Sequence, residues 1–188
     1  MTMHAQWLIP ILSSAAIFLL VVTTAVVHGL RIRRLRKRTW EELMRQIAPV
    51  DRRGIETIAL HTVDATGQPL SDEERRELGR QDIWFLLGGM EGIHRMESNT
   101  RVLIEIAAYL ERWHPEAANV ADELRSESKK LEWHVGRLRA AEKNRCLDEH
   151  FHLYGRSAAV SYYLMSKQLL ALYQQSHSAL FGELQKAL

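Results

Sequence analysis

Residues Trp7 to Leu30 read WLIPILSSAAIFLLVVTTAVVHGL, 24 positions without one Asp, Glu, Lys or Arg. No other feature constrains the chain as much. At 1.5 Å of rise per residue, about 20 helical residues cross a hydrocarbon core about 30 Å thick. The run therefore predicts a transmembrane helix, with Pro10 in its first turn, where a missing N–H costs little. Trp7 stands where an interfacial aromatic belongs, and Trp40 stands just beyond the other flank. A cleaved signal peptide would carry its positive charge before a shorter apolar core. Here the charge follows the run.

That charge also gives the helix a direction. Residues 1–30 carry no formal charge, and then Arg31, Arg33, Arg34, Arg36, Lys37 and Arg38 fall within eight positions. Positive flanks stay on the cytoplasmic side. The expected topology is thus a single pass through the plasma (inner) membrane, with the N-terminus outside and the C-terminal domain in the cytoplasm. The same six cations are candidate ligands for anionic lipid headgroups, at about 1 kcal/mol each near the surface. They also mask the character of the rest. Of 25 Lys and Arg against 23 Asp and Glu, removing those six leaves 19 against 23, a formal charge of −4. A non-specific nucleic-acid binder needs cations spread over a face that follows phosphates. This composition argues against nucleic acid as a partner.

Behind the basic run the periodicity is helical. Trp40, Leu43, Met44 and Ile47 suggest that the transmembrane helix continues as an amphipathic stalk to about Ala48, where Pro49 ends it. Asp51 is a candidate N-cap for a helix through Val63, and Asp64 to Pro69 reads as a loop. Ser71 with Glu74 forms a capping box for a helix expected to run to about Met96. Trp84, Phe85 and Leu87 are expected in its core. Gly88, Gly89 and Gly92 inside it each cost about 1 kcal/mol against Ala, and close packing of another backbone is the favoured reason. Asn99 or Thr100 is expected to cap the next helix, which His114-Pro115 breaks.

The later sequence carries a heptad seam. Ala117, Ala121, Leu124, Ser128, Leu131, Val135 and Leu138 alternate by four and three. Ala158, Tyr162, Met165, Leu169 and Leu172 repeat the rhythm, followed by Leu180 and Leu184. The two helices predict an antiparallel hairpin joined between Cys146 and Gly155, although the same seam could join two protomers. The expected fold is all-α, with one N-terminal transmembrane helix and a cytoplasmic bundle of four to five helices ending in the hairpin. Its segments are 1–6 as an extracytoplasmic tail, 7–30 as the span, 31–50 as the basic junction and stalk, and 51–188 as the helical domain.

For chemistry, the recurring pattern is Glu-x-x-His, at Glu91/His94, Glu111/His114 and Glu149/His152. On a helix this spacing sets carboxylate and imidazole on one face, as four-helix di-iron proteins require, with further carboxylates from other helices. Glu91 and His94 are the candidate metal ligands. The competing reading is surface or hydrogen-bonded histidine, since three occurrences exceed chance only mildly. Asp148 to His152 looks like a small metal tract or a solvated loop. Cys146, the lone cysteine, permits no internal disulfide. No phosphate-binding glycine loop, nucleophile motif or cofactor signature is present, so no cofactor is expected. Leu87 to Ile104, with Glu132 to Leu138, resembles single-pass membrane proteins of bacteria, a likeness that carries no functional residue. The expected role is a membrane-anchored interaction or scaffold protein, binding a protein partner or itself through its helices. The alternative is a membrane-anchored metal-binding protein or enzyme using the Glu-x-x-His pairs.

Overall fold

The computed structural model describes residues 18, 19, 22, 23, 39–64, 67, 68, 70, 71, 78–111, 114, 117–176 and 180–188. It divides into two compact units, Met1–Thr39 and Trp40–Leu188. Of the first unit, Phe18, Leu19, Val22 and Thr23 are helical and exposed. The Thr23 hydroxyl donates to the Leu19 carbonyl at 2.7 Å, the usual way a hydroxyl is satisfied within a helix. The expected span over 7–30 otherwise lies outside the described residues, as do Arg31, Arg33, Arg34, Arg36, Lys37 and Arg38. Among the described residues, no helix is long and apolar enough to cross a membrane.

The second unit is all-helical among the described residues. Its seven helices are α1 (Trp40–Gln46), α2 (Arg52–Leu60), α3 (Arg80–Leu87), α4 (Gly89–Leu110), α5 (Ala117–Lys143), α6 (Leu147–Gln175) and α7 (Phe181–Ala187). That exceeds the four to five expected, because two expected helices are broken and two short ones pack on. The heptad seam on α5 is correct at every position. Ala117, Ala121, Leu124, Ser128, Leu131, Val135 and Leu138 are all buried, and α5 lies along α6 over most of its length. The seam is therefore closed within one chain. Each aliphatic buried there contributes about 1.5–3 kcal/mol.

The hairpin connection is much shorter than expected. Helix α5 runs to Lys143 and α6 starts at Leu147, so only residues 144–146 turn the chain. Arg145 takes φ +60° to make that turn, a left-handed conformation seldom adopted by a residue with a Cβ. Asp148 and Glu149, expected in a connector, instead occupy the first turn of α6, where acidic side chains suit the helix dipole. Helix α6 is central: α2, α3, α4, α5 and α7 all pack on it.

The segment expected as a stalk belongs to the domain. Trp40 is only 7% exposed, with its ring 6.0 Å from Tyr109 and 5.5 Å from Tyr173. Its indole N–H donates to Glu183 Oε2 on α7 at 2.5 Å. It is a core residue, not an interfacial one, and the compact unit starts at Trp40 rather than at residue 51. Asp51 does cap α2, accepting from the Gly54 N–H at 3.1 Å, but that helix ends at Leu60 rather than Val63. Val63 forms an isolated bridge instead, and the Leu70 N–H donates to the Thr62 carbonyl at 3.0 Å across the loop.

The glycines in the middle do not sit inside one helix. Gly88 and Gly89 both take positive φ, +68° and +62°, and they break the expected helix into α3 and α4. The Ser71 capping box falls largely outside the described residues. The described start of α3 uses Asp82, whose carboxylate accepts from the Gly79 N–H at 3.2 Å. Asn99 and Thr100 do not cap a helix. They lie mid-way along α4, both fully buried. The Asn99 side-chain amide pairs with the backbone of Ala48, accepting from its N–H at 2.7 Å and donating to its carbonyl at 2.8 Å. The same Nδ2 donates to the Tyr162 hydroxyl at 3.1 Å. This clamp holds the turn after α1 against the centre of the bundle. Finally, the rhythm of α6 does not continue to Leu184: the helix is capped at Ser176, and Leu184 is buried from α7.

Candidate functional site

The paired residues singled out for metal chemistry are dispersed. Glu91 and His94 lie on the exposed side of α4, and the Glu91 carboxylate is engaged by Arg95 one turn later. Glu111 and His114 are both exposed at the end of α4 and beyond it. Glu149 is exposed, whereas His152 is half-buried one turn along α6. Cys146 is partly buried, its thiol donating to the Ala141 carbonyl at 3.6 Å. Among the described residues, no three His, Cys, Asp or Glu side chains come together to hold a metal ion.

What the fold brings together instead lies where α3 crosses the N-terminal half of α6. Two shallow clefts of about 570 and 590 Å³ share Arg80 and His152. The first is completed by Thr62, Leu78, Gly79, Leu153, Arg156 and Ser157. The second adds Gln81, Trp84, Phe85, Asp148, Glu149 and Phe151. Their position follows from the Gly88 break. By ending α3 there, the chain is free to lay that short helix across α6, with Trp84 4.4 Å from Phe151 ring to ring.

The first cleft is electropositive. Arg156 Nη2 donates to the Leu78 carbonyl at a long 3.4 Å, while its buried Nε has no partner. The His152 pKa is lowered chiefly by burial, then by the charges of Arg80 and Arg156, with His150 adding a little. The nearby Glu149 carbonyl offsets this only in part. The Nδ1 of His152 meets no partner at hydrogen-bonding geometry. Burial and the two guanidinium charges thus both disfavour the protonated ring. The hydroxyls of Thr62 and Ser157 are spent on the carbonyls of Ile58 and Leu153, at 3.1 and 3.0 Å.

The second cleft opens onto aromatic surface. Phe85 is 78% exposed and Trp84 37%, contrary to the expectation that both belong to the core. Only Leu87 of that trio is buried. Further round, Trp133 on α5 and Leu153 on α6 are each 54% exposed. Tyr154 packs 5.7 Å from Trp133, and the Arg137 guanidinium lies 5.2 Å over the Trp133 ring.

A separate groove of about 290 Å³ between α2 and α6 is lined by Arg52, Glu56, Tyr163, Lys167 and Leu170, among others. Burial raises the Tyr163 pKa, Glu56 raises it further, and Arg52 opposes them. Tyr162, at its floor, is raised by burial, opposed by the hydrogen bond that the Asn99 amide donates to it.

No family model, curated protein or solved structure matches this chain. Sequence reasoning noticed His152 but placed it in a connector, and it passed over Arg80 and Arg156. These two arginines are 76 positions apart and belong to no motif. Only the crossing of α3 over α6 makes them neighbours. For Trp84 and Phe85 a signal did exist: an aromatic pair beside three glycines marks a helix end as readily as a core.

Proposed function

We propose that the chain is a single-pass, membrane-anchored helical interaction protein. In this reading residues 7–30 span the plasma (inner) membrane with the N-terminus outside. The domain from Trp40 onward then works in the cytoplasm, docking a protein partner or a second copy. One observation carries the interaction role: a domain with a filled core presents Trp84, Phe85, Trp133 and Leu153 to solvent. Large exposed aromatics on a rigid support are the side chains that dominate binding energy at protein interfaces. Trp84 is such an anchor, because its contact with Phe151 fixes the ring before any partner arrives.

The membrane part rests on the uncharged Trp7–Leu30 run and the six cations after it. Tags at the two ends give the topology test. The N-terminal tag should be reached by a membrane-impermeant label on intact cells, and the C-terminal tag only after permeabilisation. The opposite pattern would reverse the direction, and equal labelling would remove the span. For the interaction, cross-linking in native membranes should yield a discrete adduct with the wild-type chain. Replacing Trp84 and Phe85 together by Ser should cut its yield about tenfold or more, since one lost hot spot is worth about 2 kcal/mol. Phe85 is mostly exposed and Trp84 packs at the edge of the core, and circular dichroism of the double variant checks that the fold is kept. Unchanged adducts in that variant would remove this surface from the interface. No stoichiometric adduct from the wild type, to itself or another protein, would remove the interaction role.

A further inference from the structure

We propose that the cleft between α3 and α6 binds an oxyanion of the phosphate class, held by Arg80, Arg156 and His152. Both arginines line one cleft, and the charges of both act on the same imidazole. Among the described residues, neither forms an ion pair with a carboxylate. Asp148 and Glu149 line the neighbouring cleft without pairing to Arg80. Two like charges side by side repel one another, and an anion between them lowers that cost.

The hydrogen-bonding inventory points the same way. Arg156 Nε and His152 Nδ1 are buried polar atoms without a partner, and such atoms in native structures need an explanation, commonly an ion or water. The hydroxyls beside them already donate to backbone carbonyls, and the Gly79 N–H is taken by Asp82. The remaining donors are thus the Arg80 fork, the part of the Arg156 guanidinium not spent on Leu78, and a histidine that becomes a donor at both nitrogens once protonated. That set is matched by a tetrahedral dianion with several acceptor oxygens. A single carboxylate offers fewer acceptor oxygens and half the charge. The anion would also reverse the electrostatics at His152. A ring depressed by burial, Arg80 and Arg156 gains an opposite charge at contact distance, so its pKa must rise on binding.

A free phosphate ester and the phosphate headgroup of a lipid offer the same chemistry. The test uses the purified full chain in phosphatidylcholine nanodiscs, with the His152 ring followed by NMR pH titration and assigned by H152Q. Inorganic phosphate should raise the His152 pKa and bind saturably. R80Q and R156Q should each weaken that binding at least tenfold, while R52Q, in the separate groove, should leave it unchanged. Nanodiscs containing phosphatidic acid form the second arm. A rise there without added phosphate assigns the site to a membrane lipid, and a rise only with added phosphate assigns it to a soluble ester. Circular dichroism of R80Q and R156Q guards against misfolding, above all for Arg156, whose guanidinium also holds the Leu78 carbonyl. A His152 pKa that moves in neither arm overturns the proposal. So does binding that survives both arginine substitutions.

Discussion

Replacing Asn99 by Ala should destabilise the domain by about 3 kcal/mol, whereas replacing its neighbour Thr100 by Val should cost under about 1 kcal/mol. Both side chains are fully buried on α4, and both are short and polar, so only their partners separate them. The Thr100 hydroxyl donates to Met96, one turn back in its own helix, at 2.8 Å. That bond satisfies the hydroxyl and connects nothing. Valine removes donor and acceptor together from a site whose carbonyl is already bonded within the helix. Asn99 bridges three separate pieces of chain, through the N–H and carbonyl of Ala48 and the hydroxyl of Tyr162. Alanine there leaves a cavity and orphans two backbone groups at once. Leaving a buried donor or acceptor unmade costs about 1–3 kcal/mol. The loss should also be local before it is global. Amide exchange at Ala48 should accelerate first, followed by the turn over residues 47–51, while the α5–α6 hairpin keeps its protection. For a domain of this size the expected loss is roughly 6–12 °C in Tm. Equal melting temperatures for the Asn99 and Thr100 variants would refute the clamp.

The contrast between these two residues shows what a linear reading can reach. The α5 seam was legible at all seven positions because its partner is the next helix along. A repeat of 3.5 residues needs no distant information to find its mate. Asp51 was legible as a cap for the same reason, since the bond it makes is three residues long. Asn99 carried the same short-polar signature as Asp51 and was misplaced. Its partners lie 51 and 63 positions away, and nothing local distinguishes a cap from a clamp. Trp40 followed the same logic: beside a basic run it resembles a membrane-interface residue, until Tyr109, Tyr173 and Glu183 surround it. The candidate site was the least legible part. Arg80 and Arg156 have meaning only because α3 stops at Gly88 and crosses α6, and composition cannot separate a glycine inside a helix from one that ends it.

That break yields the other large effect. Gly92→Ala should cost about 3 kcal/mol or more, at the upper end of what forced overpacking does. Gly88→Ala, four residues earlier, should cost only about 1 kcal/mol. At Gly88 a Cβ would meet nothing within 4 Å, so the penalty is that of the left-handed backbone alone, φ +68°. Gly92 is an ordinary helical residue, and propensity alone would make alanine an improvement there. The structure reverses that sign. Two successive left-handed residues fold the end of α3 back over the first turn of α4, placing the Leu87 carbonyl oxygen 1.6 Å from where the new Cβ would stand. The obstacle is backbone, which no rotamer change relieves, so α3 must move away from α4. Such a movement also disturbs Gly54, where the Leu86 carbonyl oxygen lies 2.2 Å from a would-be Cβ. Gly54→Ala should therefore be comparably harmful, and combining it with Gly92→Ala should cost less than the sum, because one displacement of α3 serves both. Thermal melts of the three single variants and the double variant measure all four quantities. If Gly92→Ala is as mild as Gly88→Ala, the close approach of α3 to α4 is refuted. The crossing that gathers Arg80, Arg156 and His152 would fall with it.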